Sequence, residues 1–224
     1  MKPFILLIST VVLLASCSKS SSNNSKTPDA LLNDIQGPAM QIDSMPLAIG
    51  NTWVYASKAD TYTIKVVSDT IINGQFAAAV STFDKGTVST NYYANRSGGY
   101  YLVARQYTTP DSLAILNPTV LTLSFPIILA QGWSIADSLL TGDARALPDT
   151  YYLQWTSYVK LSTPAGTFNC CRSLRTGAYP ISTYSYYSTK GLIKEVQITG
   201  YSTTPGTGPQ YDISSSVSLI SVNF

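Results

Sequence analysis

From residue 61 onward apolar and polar positions alternate with a period of two. In "TYTIKVVS", Tyr62, Ile64 and Val66 share one side, and Thr63 and Lys65 share the other. This is the pattern of a half-buried strand. "FAAAVSTF", "VSTNYYAN" and "GGYYLVAR" continue it in the first half of the chain. "TYYLQWTSYVKLS", "TFNCCRSL", "STYSYYS", "LIKEVQITGY" and "YDISSSVSLISVNF" continue it in the second. Turn residues divide the segments. Asn73-Gly74 predicts a type I′ hairpin turn. Lys85-Gly86, Ser97-Gly98-Gly99 and Pro164-Ala165-Gly166 mark further turns, and "PGTGP" (205–209) reads as a loop. Asp111 to Phe125 reads as a loop followed by a strand. One segment departs from this period. Thr27-Pro28-Asp29 has the form of a helix start, Leu31, Leu32 and Ile35 make one apolar stripe, and Gly37 is a stop. A short helix over 28–36 is expected.

The chain also repeats a phrase. "PLAIGNTWVYA" (46–56) returns eighty residues later as "PIILAQGWSIA" (126–136), with Pro, Trp and the final Ala in register. Gly74-Gln75-Phe76 corresponds to Gly166-Thr167-Phe168, and Tyr92-Tyr93 to Tyr186-Tyr187. The order of features is the same in both halves, which predicts a duplicated antiparallel meander. The expected fold is all-β: a curved antiparallel sheet, or an open barrel or sandwich, built from two related meanders at about 45–110 and 125–200. With one short N-terminal helix, these form a single domain over 28–224.

Composition agrees with this. Of 224 residues only 12% are charged, 16 are tyrosine, and glutamate occurs once, at Glu195. Strands favour Tyr, Thr and Val, whereas solvated helices favour Glu, Lys and Ala. A net charge of +2 lacks the electrostatic footprint of a nucleic-acid binder.

The first residues read as an address rather than as fold. Lys2 precedes an apolar run, Phe4 to Leu14, that is too short to span a bilayer. Leu14-Ala15-Ser16-Cys17 then resembles a bacterial lipobox, which implies a signal peptide over 1–16 and acylation of Cys17. The polar tract that follows, 17–27, reads as a disordered tether. The membrane is thus an expected partner, reached through acyl chains rather than a spanning helix. By analogy with enterobacterial sorting, Ser18 in place of Asp favours the outer membrane, with the periplasmic or surface face left open.

Pro46 to Tyr55, "PAGTFNCCRS" and "YYSTKGLIKEV", in that order, resemble motifs of a set of uncharacterised Bacteroidota outer-membrane lipoproteins. The likeness covers most of residues 45–200 and departs at Ser188-Thr189-Lys190-Gly191, where a second glycine is missing. It implies an all-β envelope domain similar to the open half-barrel of lipoprotein carriers, with no catalytic residues to carry over.

Candidate chemistry is sparse. The chain has no histidine, which removes Ser-His-Asp and Cys-His nucleophile systems and histidine metal sites. "GWSIA" (132–136) matches a nucleophile elbow only superficially. Ser157 and Lys160 have Ser-x-x-K spacing, but that motif needs a helix, and strand geometry sends the two to opposite faces. Cys170 and Cys171 are adjacent, so a strand points them apart; one buried and one partly exposed thiol are expected. Six of the eleven aspartates precede Ser or Thr, at Asp43, Asp60, Asp69, Asp111, Asp137 and Asp149. Four of them, Asp43, Asp69, Asp111 and Asp137, resemble the O-glycosylation acceptor of Bacteroidota, and turn chemistry is favoured over it. Neither a metal nor a cofactor is expected. Trp53, Trp133 and Trp155 are candidate ligand-facing aromatics, set against the commoner role of core residues. The expectation is a non-enzymatic, lipid-anchored envelope protein acting as a binding or carrier-like module for a hydrophobic or amphipathic ligand. The alternative is a surface interaction or carbohydrate-binding lipoprotein.

Overall fold

The computed structural model describes residues 34–58, 60–106, 113–136, 150–177, 181–204 and 208–224. Thirteen strands occur among them, and no helix. They are β1 (Ile35–Gln36), β2 (Thr52–Ser57), β3 (Thr61–Ile72), β4 (Gln75–Asp84), β5 (Thr87–Arg96), β6 (Gly99–Gln106), β7 (Leu113–Ser124), β8 (Gly132–Ala136), β9 (Thr150–Thr163), β10 (Gly166–Thr176), β11 (Ile181–Ser188), β12 (Gly191–Thr204) and β13 (Gly208–Asn223).

Every pairing is antiparallel, and all thirteen strands belong to one sheet. β2 to β7 form one six-stranded meander and β8 to β13 form a second. β13 pairs with β2, setting Val222 opposite Trp53 and Leu219 opposite Tyr55. The last strand of the second meander thereby joins the first strand of the first. At the far ends β7 and β8 share no ladder. Side chains fill that seam instead: Leu102, Val120, Ile135 and Leu153 pack together with Trp133 and Leu116. The result is a strongly curved sheet that stops short of a closed barrel. Pro118 falls within β7, which is admissible because a proline withholds a ladder N–H and edge strands tolerate that loss.

The two meanders repeat in detail. Asn51 N–H donates to Ala48 O (3.1 Å), and Gln131 N–H donates to Ile128 O (3.1 Å). Each of these turns leads into the same bonds with the following strand. Val66 exchanges backbone bonds with Gly50 and Asn51, as Trp155 does with Ala130 and Gln131. Trp53 lies opposite Ile64, and Trp133 lies opposite Leu153. The ladder shifts register between Tyr92 and Tyr93, and again between Tyr186 and Tyr187. A bulge at each Tyr-Tyr pair bends its meander at the same place. The hairpin at Asn73-Gly74 has positive φ at both residues, 50° and 73°, as a type I′ turn requires.

Two expectations are corrected. Ile35 and Gln36 do not close a helix; they pair with Lys160 and Val159 on the edge of β9. Residues 28–33, the rest of that expected helix, lie outside the described residues. The local helix signal at Ile35 yields to long-range ladder bonds. Next to it, Gly37 N–H donates to Tyr158 O (3.0 Å), and its Cα packs so close to the Val159 carbonyl that a Cβ has no room. The second correction concerns the thiols. Cys170 and Cys171 do point to opposite faces, but both are fully buried. Cys171 packs with Trp155 and Ile42, and Cys170 packs with Tyr186 and Val159. Both sides of β10 are covered, so burial raises each thiol pKa to about 12.

A buried ion pair fixes the start of the described chain. Arg172 Nη1 donates to Asp34 Oδ2 at 2.7 Å, with both side chains almost fully buried. Tyr186 OH donates to the same carboxylate at 3.0 Å, and Arg172 Nε donates to Thr156 Oγ1 at 2.9 Å. From there the chain runs inward. Ile42 is 1% exposed in the cluster that holds Trp155, Tyr100 and Leu123, with Met40, Met45 and Leu47 packed around them.

Candidate functional site

Curvature leaves the interior incompletely filled. A cavity of about 190 Å³ opens on the inner face of the first meander. β2 contributes Trp53 and Tyr55, the next two strands Ile64, Val80 and Thr82, β5 Asn91 and Tyr93, and β6 Tyr100. The second meander closes one side with Tyr187, Gly191 and Leu192. No charged side chain among the described residues lines it.

The remaining wall is not sheet. Met45, Pro46 and Leu47, which belong to no strand, line the cavity as a strap. Asn95 holds it from the end of β5: its Oδ1 accepts from Met45 N–H at 2.9 Å, and its Nδ2 donates to Met45 O at 2.8 Å. One asparagine thus satisfies both backbone groups of a residue that no ladder serves. Asn51 Nδ2 adds a longer bond, 3.3 Å, to Pro46 O.

Aromatic rings set the cavity's shape. Tyr93 stacks on Tyr100 with centroids 4.7 Å apart, and Tyr55 stacks on Tyr62 at 5.3 Å. Trp53 is locked by its indole N–H, which donates to Lys190 O at 2.6 Å, and by an edge contact with Phe224. Tyr55 OH donates to Leu192 O at 2.8 Å. These bonds tie β2 to the start of β12 across the cavity floor.

Burial pushes the phenol pKa of Tyr55, Tyr93, Tyr100 and Tyr187 above its ordinary value. Tyr62 is raised to about 12, by burial first and then by the negative charges of Glu195 and Asp84. These groups stay neutral at physiological pH. They offer hydroxyls and ring faces, not bases.

Of the three tryptophans expected to face a ligand, the structure brings one to the cavity. Trp53 lines it. Trp155 is fully buried, its indole N–H donating to Ser124 O at 3.1 Å. It is a core residue, in the place that Val66 takes in the first meander. Trp133 is half-buried at the β7/β8 seam, 5.8 Å from Trp155 between ring centroids, and its Nε1 has no hydrogen-bond partner among the described residues. Trp53 and Trp133 therefore share a backbone position but not a side-chain environment. Cys17 lies outside the described residues, as do the Asp111 and Asp137 sites. Asp69-Thr70 lies within β3 rather than in a turn, and both residues are exposed.

Two other sequence motifs resolve into strand. Ser134 lies inside β8, not on a strand-to-helix turn. Ser157 and Lys160 lie on β9, opposite Arg172 and Asn169, and an offset of three residues places them on opposite faces.

Sequence reasoning missed Tyr93, Tyr100, Tyr187 and the strap. The signal for two of them was present. The second tyrosine of each Tyr-Tyr pair turns into the cavity, while the first packs on the other face.

No family model matches this sequence, and no curated protein matches it. Two solved structures are similar to it. One is a protein from Bacteroides fragilis described as exported and YmcC-like in fold: 11% identity, TM-score 0.38, 81% of this chain and 99% of that chain covered. The other is a protein from Parabacteroides distasonis described as a lipoprotein: 12% identity, TM-score 0.38, 80% and 97% covered.

Proposed function

We propose that this protein is anchored to the outer membrane through acylated Cys17 and works without catalysis, taking the apolar part of a small hydrophobic or amphipathic ligand into the cavity beneath the strap. The observation that carries this reading is the cavity's lining, which is aromatic and aliphatic, has a few hydroxyls and an amide, and, among the described residues, lacks charge. Such a surface rewards apolar contact and gives little hold to an ion. Its volume sets the scale. A cavity of about 150 Å³ accepts benzene, so 190 Å³ suits about six carbon atoms. The address rests on the lipobox and the tract that follows it.

Titration with 1-hexanol, followed by calorimetry, tests the cavity. Wild-type protein is expected to bind, and Leu192→Trp, which fills the space from β12, is expected not to. Equal binding by both proteins contradicts the assignment. For the anchor, mass spectrometry of the mature protein is expected to show acylated Cys17 as the first residue. An unmodified N-terminus contradicts it.

A further inference from the structure

The inner face of the second meander differs from that of the first. Along β11, Tyr187, Ser185 and Thr183 point the same way. Tyr187 lines the cavity, whereas Ser185 and Thr183 are buried hydroxyls beyond it. Opposite them, Leu192 pairs with Tyr187, and Glu195 pairs with Ser185. Glu195 is therefore one step along the wall from the cavity lining, about 7 Å at strand spacing. Ser185 Oγ donates to its Oε2 at 2.9 Å. Glu195 is only partly exposed, and among the described residues no ion pair reaches it. The contrast with Asp34, which is buried against Arg172, is instructive. A carboxylate with one hydrogen bond and no ion-pair partner keeps acceptor positions that a cationic donor can fill. Arg175, which shares this face, is engaged with Thr183 Oγ1 (3.3 Å) and the Tyr151 ring. This is the chain's single glutamate.

We propose that Glu195 receives the cationic ammonium head of an amphiphile whose apolar end occupies the cavity. The inference rests on the cavity reading given above and adds the ligand's charge. An ammonium group set by Glu195 and Ser185 gains a charge-assisted hydrogen bond. The apolar chain then passes Tyr187 and Leu192 into the space under the strap. The ligand class is a short-chain monocationic amine, not a fatty acid and not a neutral lipid.

Three probes of equal chain length separate the possibilities: hexylammonium, 1-hexanol and hexanoate, each titrated calorimetrically against wild-type protein and Glu195→Gln. Hexylammonium is expected to bind wild type about tenfold more tightly than hexanol, the ratio one charge-assisted bond confers. Glu195→Gln is expected to abolish that ratio while leaving hexanol affinity unchanged. Equal affinity for hexylammonium and hexanol, or a preference for hexanoate, overturns this inference and leaves the cavity reading standing. Failure of all three probes to bind overturns both. The circular dichroism spectrum and melting temperature of Glu195→Gln show whether the variant is folded. If it is not, Glu195→Asp takes its place, with an expected partial loss of the ratio.

Discussion

Gly50 and Ala130 hold the same position in two copies of one turn. Both have positive φ, 95° and 64°. Both send their N–H into the following strand, to Val66 O at 2.9 Å and to Trp155 O at 2.7 Å. One copy fills the left-handed position with the residue suited to it, and the other fills it with an L side chain. A Cβ at Gly50 meets nothing within 4 Å, so conformation alone sets the cost there. Gly50→Ala is expected to destabilise the protein by about 0.5–1 kcal/mol, and Ala130→Gly to stabilise it by about 0.5 kcal/mol. Urea unfolding of the two variants checks the pair. Shifts of the same sign contradict the equivalence of the turns.

Asp34, just before β1, is tied to the sheet through Arg172 and Tyr186. Removing one partner of a buried pair leaves a stranded charge, at a cost of about 3–5 kcal/mol. Asp34→Ala is expected to fall in that range. The double variant Asp34→Leu with Arg172→Met is expected to be markedly more stable than Asp34→Ala alone. A double-mutant cycle by chemical denaturation measures the coupling, and additive effects contradict it.

Alkaline pH is expected to unfold the protein cooperatively. Cys170 and Cys171 rise from 9.0 to about 12, and Tyr62 from 10.0 to about 12. Between those values the unfolded chain loses protons that the folded one keeps. Stability is therefore complete below pH 9 and falls as pH rises toward 12. Melting temperature measured against pH shows the decline. Thiol reagents at pH 8 are expected to leave both cysteines unmodified until denaturant is added, since neither thiolate nor access is available. Rapid labelling of the native protein contradicts the burial of both.

Asn95 is the strap's principal polar hold. Asn95→Ala removes two hydrogen bonds, each worth about 0.5–1.5 kcal/mol, from a segment without ladder support. Hydrogen exchange of the Met45 and Leu47 amides is expected to accelerate while the β3 and β4 amides stay protected. Unchanged exchange in the strap contradicts this role.

Much of the fold was legible because its signals are local. Period-two alternation marked β3 (Thr61–Ile72), Asn73-Gly74 marked its hairpin, and the echo of Pro46–Ala56 in Pro126–Ala136 marked the duplication. The misreadings share a cause. The helix expected through Ile35 is lost to ladder bonds with β9, more than a hundred residues away. Cys170 is covered by Tyr186 and Val159 from neighbouring strands, which no local pattern reports. The cavity was less legible still. It depends on how far two bulged meanders curve, and on a strap whose anchor, Asn95, looks like any turn-proximal asparagine. Trp155 shows the limit most clearly: alternation placed it in a strand, but packing against Ile42 and Ser124 made it core.

The cavity can be observed directly. Crystals soaked in iodobenzene are expected to show anomalous density for iodine between Tyr55, Tyr93 and Leu192, with the strap residues Met45 to Leu47 still in place or displaced outward. Iodine found only at exposed apolar side chains such as Phe76, with the space beneath the strap empty, contradicts the account.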